Sequence, residues 1–194
     1  NALAAAAAGY ALGLPASALS AGLRALGNTP DDNPGRLNAF DVGGATVLLD
    51  YAHNPHGVRA LMPVVRSLPA QRRLLAVSQA GDRDDAALRD LAAASLSGPS
   101  LDRVIVKEIP RHLRGRALGE LPRILAAAFH DLGLPGDAVE LAADELDAAR
   151  RALAWARPGD LLVLLVHEDR DRVLALLEGL RSGGWRAGSP LPIG

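Results

Sequence analysis

The chain contains no cysteine, which excludes a disulfide framework and any thiolate metal site and is compatible with a reducing cytosol. Lysine is nearly as scarce: 20 of the 21 basic residues are arginine, so lysine-dependent chemistry has only Lys107 to use. An excess of charge of either sign is also missing. The formal net charge is −1, from 21 basic and 22 acidic residues, and no global field draws the chain to nucleic acid or an anionic membrane. No apolar run approaches the ~20 residues that span a bilayer. The opening "NALAAAAAGYALGL" lacks the basic residues of a signal peptide and runs into a second helical pattern, so it is expected to be structural rather than a targeting segment.

Several nucleotide and catalytic signatures are missing as well. A phosphate cradle of the form G-x-x-x-x-G-K-[ST] would have to end at Lys107, but "RVIV" precedes that residue. There is no G-x-G-x-x-G after a strand, no H-E-x-x-H among the five histidines, and no G-x-S-x-G elbow. His53 and His56 alone would make a poor zinc clip, and no metal ligand set is expected.

What remains is the balance of an ordinary folded protein. The 194 residues are 49% hydrophobic and 22% charged, enough for one substantial α/β domain. Two short helical patterns, about 2–12 and 16–26, open the chain, with Pro15 suited to the start of the second. The stretch "GNTPDDNPG", 27–35, reads as a linker. Beyond it, two strand-like runs flank Gly43 and Gly44 as in a β-hairpin. Strands near 73–78, 103–108, 138–141 and 160–166 then alternate with helices near 56–67, 85–96, 118–132, 144–156 and 169–181. That alternation predicts an α/β fold: a Rossmann-like, mainly parallel sheet with helices on both faces, preceded by a short helical segment. The tail "SGGWRAGSPLPIG" reads as irregular.

In such a sheet, ligands bind where strand C-termini meet helix N-termini. Four polar loops fall there: "DYAHNP", "SQAGDRDD", "KEIPRHLRGR" and "VHEDRD". Asp50 ends a strand where a carboxylate can accept from ribose hydroxyls, and His53 and Asn54 offer donors, acceptors and a flat face. Equally, Asn54 can cap the following helix while His53 is solvated. Asp82, Asp84 and Asp85 can cap a helix or bind a cation, and Arg83 suits a phosphate or carboxylate. Arg114 and Arg116 flank a glycine as paired guanidinium forks, or form a solvated basic loop. Lys107 and Glu108 can pair with each other or with a ligand, and Asp169 and Asp171 suit the N-terminus of the last helix.

Five motifs in order, "PGRLNAF", "DYAHNPHG", "GDRDD", "KE" with "LRGR", and "PGDLLVLLV", resemble the C-terminal domain of the Mur ligase family, in particular its cyanophycin synthetase branch. The first two helical patterns resemble the end of the family's central ATPase domain. The resemblance implies a boundary at 34/35: residues 1–34 as the helical end of a central domain plus linker, and 35–194 as the C-terminal α/β domain. It implies ATP-dependent joining of an acid to an amino acid through an acyl phosphate, in the cytoplasm. ATP and magnesium would be held mainly by a central domain outside this chain; the partners would be ATP, an amino acid, an acidic peptide substrate and upstream domains of the same polypeptide. Self-association is left open. Residue by residue, Arg36 matches the arginine that reaches the nucleotide phosphates, a catalytic role. Asp50 matches the ribose-binding acid, and His53 and Asn54 match positions lining the nucleotide. Asp82 and Arg83 match a cleft loop, and Arg114 and Arg116 match positions that read the incoming amino acid. Other readings are a stand-alone nucleotide-binding module without ligase activity and a cell-wall ligase acting on a UDP-linked peptide. Two departures from the family pattern are "VSQAGDR", with fewer glycines, and Ile109, where an acid usually follows "KE".

Overall fold

The computed structural model describes residues 2–25, 27 and 32–192. The chain divides into two compact units, residues 1–38 and 39–194. In the first, α1 (Ala2–Ala11) and α2 (Ala16–Ala25) form from alanine-rich sequence of high helix propensity. Gly9 is the buried residue of α1, and a Cβ there would overlap the side chain of Leu19, so glycine permits the close approach of the two helices. The Pro15 carbonyl accepts from the Ala18 and Leu19 N–H groups and starts α2. Residues 28–31 of the expected linker lie outside the described residues. Its end is a turn organised by Asn38, whose Oδ1 accepts from Gly35 N–H at 2.7 Å and whose Nδ2 donates to the carbonyls of Asn33 and Arg36. Arg36 is exposed, between Gly35 and Leu37, both at positive φ.

The second unit is built on a six-stranded sheet. Its strands are β1 (Asn38–Val42), β2 (Ala45–Asp50), β3 (Arg73–Val77), β4 (Arg103–Lys107), β5 (Val139–Ala142) and β6 (Leu161–Leu165), in the order β1-β2-β6-β3-β4-β5. The β2/β6, β6/β3, β3/β4 and β4/β5 pairs are parallel. Gly43 and Gly44, both at positive φ, make the two-residue link between β1 and β2. All five residues of β6 are buried, as the unbroken apolar run "LLVLL" requires of a central strand covered on both faces.

Among the described residues, five helices cover the sheet: α3 (Pro55–Ser67), α4 (Asp85–Ser95), α5 (Glu120–Asp131), α6 (Glu145–Trp155) and α7 (Arg170–Ser182). One face, with Val47, Leu49, Leu74, Ala76, Ile105, Leu162 and Leu164, packs on α6 and α7 through Ala149, Leu153, Val173 and Leu177. The alternate residues, among them Leu48, Leu75, Val104 and Val163, are equally buried, and α3, α4 and α5 pack side by side. The α/β architecture expected from the alternating pattern is thus present. Helix α5 begins at Glu120, two residues later than expected, because Gly119 takes φ 76°, outside helical geometry. The tail is irregular yet anchored: Trp185 is buried, its indole N–H donates to the carbonyls of Ser189 and Pro190, and Ala187 N–H donates to the Gly43 carbonyl.

Candidate functional site

Parallel pairing brings the C-terminal ends of β2, β3, β4 and β6 to one edge, and the four polar loops gather there. Between them lies a pocket of about 150 Å³ lined by Tyr51, His53, Ser78, Gln79, Ala80, Asp82, Arg83, Ile109, His112, Arg114 and His167. Of the residues singled out from sequence, it brings together His53, Asp82, Arg83 and Arg114. Asp50, Asn54 and Arg116 stand behind the wall as supports, and Arg36 belongs to the first unit.

The loop after β2 is shaped by its own polar groups. Asp50 is 9% exposed, and its Oδ1 accepts from Ala52 N–H at 2.7 Å, turning the chain at the strand end. Asn54 is the N-cap of α3: its Oδ1 accepts from Gly57 N–H at 2.8 Å, so the capping alternative is realised. Its amide also meets His53 Nε2 at 3.3 Å, and His53 Nδ1 lies 3.1 Å from the Tyr51 carbonyl. The Tyr51 ring sits edge-on to His167 with centroids 5.2 Å apart.

The acidic loop after β3 divides its three aspartates among three tasks. Asp84 caps α4 by accepting from Ala87 N–H at 2.8 Å. Asp85 pairs with Arg116 at 3.0 Å. Asp82 pairs with Arg114 at 2.6 Å on the pocket wall. Arg116 also donates to the carbonyls of Gly81 and Arg83 and to Glu120, so it staples two loops together. Arg83 is half exposed, with Nε 4.0 Å from Asp82. His112 Nε2 lies 3.0 Å from Glu168 Oε1, a carboxylate buried to 9% exposure.

Lys107 and Glu108 do not pair with each other. Lys107 Nζ, 1% exposed, donates to Glu145 Oε1 at 2.7 Å and to Ser78 Oγ at 2.9 Å. Its partners leave the single lysine enclosed, with no face for a phosphate. Glu108 accepts from the N–H groups of Ile109 and Gly119. Asp169 precedes α7 without a capping bond and pairs with Arg172; the N–H groups of His167, Glu168 and Asp169 go to Glu145 instead, at 2.7–2.8 Å.

Burial alone would push the Glu145 carboxyl up. The contacts with His167, the charge and hydrogen bond of Lys107 and the Asp169 N–H together hold it well below its ordinary 4.5. Burial pushes Lys107 below 10.5 against the pull of Glu145. Burial also pushes His167 below its ordinary 6.5; the Glu145 carboxylate, 3.4 Å from its Nδ1, opposes this and the Lys107 charge adds to it. Sequence reading missed the union of Ser78, Lys107, Glu145 and His167, because Glu145 lies 38 residues from Lys107 and reads as an ordinary first-turn acid. The scarcity of lysine was the one signal pointing there.

A parallel sheet that gathers charged loops over a pocket at its carboxyl edge is the layout common to α/β domains that bind small ligands. The chain belongs to the Mur ligase family, a family of ATP-dependent amide ligases: residues 35–165 match its "Mur ligase, glutamate ligase domain". It is 35% identical over 164 residues to a cyanophycin synthetase of Synechocystis sp., covering 84% of this chain and 18% of that protein. A UDP-N-acetylmuramyl-tripeptide synthetase of Roseiflexus sp. is 35% identical over 167 residues, covering 85% and 31%. Among solved structures, the folylpolyglutamate synthase of Mycobacterium tuberculosis complexed with ADP and AMPPCP superposes with a TM-score of 0.54 at 28% identity, over 77% of this chain and 32% of that one. The chain thus spans less than a third of each of these relatives. Among the described residues, no helix is long and apolar enough to cross a membrane.

Proposed function

We propose that this chain is the nucleotide-closing and substrate-binding C-terminal domain of a longer, cytoplasmic, cyanophycin synthetase-like ligase that joins an acid to an amino acid at the expense of ATP. The observation that carries the reading is the convergence of His53, Asp82, Arg83 and Arg114 on one pocket at the carboxyl edge of the sheet, in a chain of this family. In the complete reaction the acid's carboxylate takes the terminal phosphoryl group of ATP, and the amine then displaces phosphate from the acyl phosphate. ATP and magnesium are assigned chiefly to the part of a central domain that lies outside this chain; residues 1–34 supply only its helical end and linker, and 35–194 the C-terminal domain.

This chain's own contribution is positioning and charge. Arg36, fixed by the Asn38 turn, is the candidate to offset phosphate charge. Asp50 and Asn54 shape the loop that carries His53, so any ribose contact by Asp50 adds to its bond with Ala52 N–H. Arg114 and Arg83, tied through Asp82, present guanidinium groups suited to a carboxylate, with Arg116 holding their loop. Closure of such a domain excludes water from a labile acyl phosphate.

The test is phosphate release by the full-length protein with ATP, an acidic peptide and a panel of amino acids. Arg114→Ala is expected to raise the KM for the amino acid by about 10-fold or more, the scale of a lost charge-assisted hydrogen bond, and to leave the KM for ATP nearly unchanged. An equal effect on both removes the amino-acid role. The likeness to a muramyl-tripeptide synthetase, at the same 35% identity, supports a second reading, a cell-wall ligase, which predicts turnover only with a UDP-linked peptide acceptor.

A further inference from the structure

The buried polar cluster beneath the pocket has an unusual layout. It joins the end of β3 (Ser78), the end of β4 (Lys107), the start of α6 (Glu145) and the loop after β6 (His167), and its last bond reaches the backbone of the loop after β2: His167 Nε2 lies 3.1 Å from the Ala52 carbonyl. The ends of this chain have directions set by chemistry. A carbonyl can only accept, so His167 Nε2 carries a hydrogen and donates to Ala52. In the neutral imidazole Nδ1 then has no hydrogen; it faces Ser78 Oγ and Glu145 Oε1, each at 3.4 Å, and of the two only the serine hydroxyl can donate to it. The Ser78 oxygen in turn accepts from Lys107 Nζ, whose remaining partner is Glu145.

The cluster is more than filling for a core. Both Ser78 and His167 also line the pocket, and His167 packs edge-on against Tyr51. Ala52, the acceptor, sits between Tyr51 and His53, both pocket residues. The chain of bonds therefore runs from the rigid centre of the sheet to the middle of the "DYAHNP" loop.

We propose that Ser78 and His167 are positioning residues: anchored by the buried Lys107–Glu145 pair, they clamp the Ala52 carbonyl and so hold Tyr51 and His53 in the geometry that receives the nucleotide. The proposal deepens the reading of this edge as the nucleotide-closing face and rests on it. Lys107 acts through Ser78 and touches no ligand. A clamp of this kind affects binding through placement, and a displacement of about 1 Å is worth up to about 100-fold in an enzyme's rate.

The test has two arms. In the chain as described, nitrogen-resolved NMR of the His167 side chain at neutral pH is expected to show a neutral ring with its hydrogen on Nε2; a hydrogen on Nδ1 alone would overturn the clamp whatever the chain's activity. In the full-length protein, phosphate release is followed with ATP as the varied substrate. His167→Leu is expected to raise the KM for ATP by about 10- to 100-fold. His167→Gln, which keeps a donor near the Nε2 position, is expected to restore most of it. Failure of the glutamine to rescue, or an effect on kcat with KM unchanged, would show that the cluster only supports the core. A wild-type protein that releases no phosphate with any acceptor would sink the ligase reading, while the ring measurement would still decide the bond direction.

Discussion

At the scale of single residues, the most consequential choice is a lysine and a glutamate placed where water cannot reach them, at 1% and 2% exposure. Taking one partner away leaves the other charge buried. Lys107→Met is therefore expected to cost roughly 3–5 kcal/mol in unfolding free energy, read from denaturant melts of the chain. The neighbouring titrations set a pH response. His167 is held below its ordinary 6.5, so as pH falls past that value the unfolded chain takes up a proton that the folded chain refuses, and stability declines. Glu145 is held below 4.5, so its contribution is complete above that value and is lost as acidification continues. Both act in one direction. Equilibrium unfolding between pH 7 and 5 is expected to lose stability at up to about 1.4 kcal/mol per pH unit for the histidine proton, and His167→Gln is expected to flatten that upper part of the curve. Apart from the singular lysine, none of this was legible in the sequence, because a contact between positions 107 and 145 leaves no local pattern. Asn54 and Asp84 were legible, because a cap is a local device: each sits one residue before its helix and bonds three residues on.

At the scale of elements, strands and helices fell where hydrophobic period and turn residues placed them, and the differences are at ends. Gly119 delays α5, and the loop after β3 owes its shape to a contact with a loop some 30 residues away. Gly81 N–H donates to the His112 carbonyl at 2.8 Å, and a Cβ on Gly81 would overlap the Leu113 carbonyl oxygen. The glycine is thus required by close approach of two loops rather than by its own φ. Gly81→Ala is expected to push the 81–85 segment off the 112–116 segment and to break the Arg114–Asp82 pair while leaving the sheet intact. Proton–deuterium exchange should then show faster exchange confined to those two loops; uniform destabilisation would count against it. Sequence reading placed these two loops at one sheet edge without the bonds between them, which Arg116 supplies.

At the scale of the whole molecule, order in the chain and order in the sheet diverge. Strand β6 is the last strand in sequence, yet it stands between β2 and β3 and is buried along its entire length. Ending the chain at Asp160 is expected to abolish the folded 39–194 unit outright, measured as loss of a cooperative thermal transition and growth of large species on size-exclusion chromatography. A surviving transition would show that β2 and β3 can pair without it. During synthesis the same arrangement sets a delay: until about residue 165 has cleared the ribosome, two apolar strands wait with bare edges facing each other across a missing neighbour. A nascent copy of this domain is therefore most exposed to aggregation, and most in need of a chaperone, between the emergence of Val77 and that of Leu161.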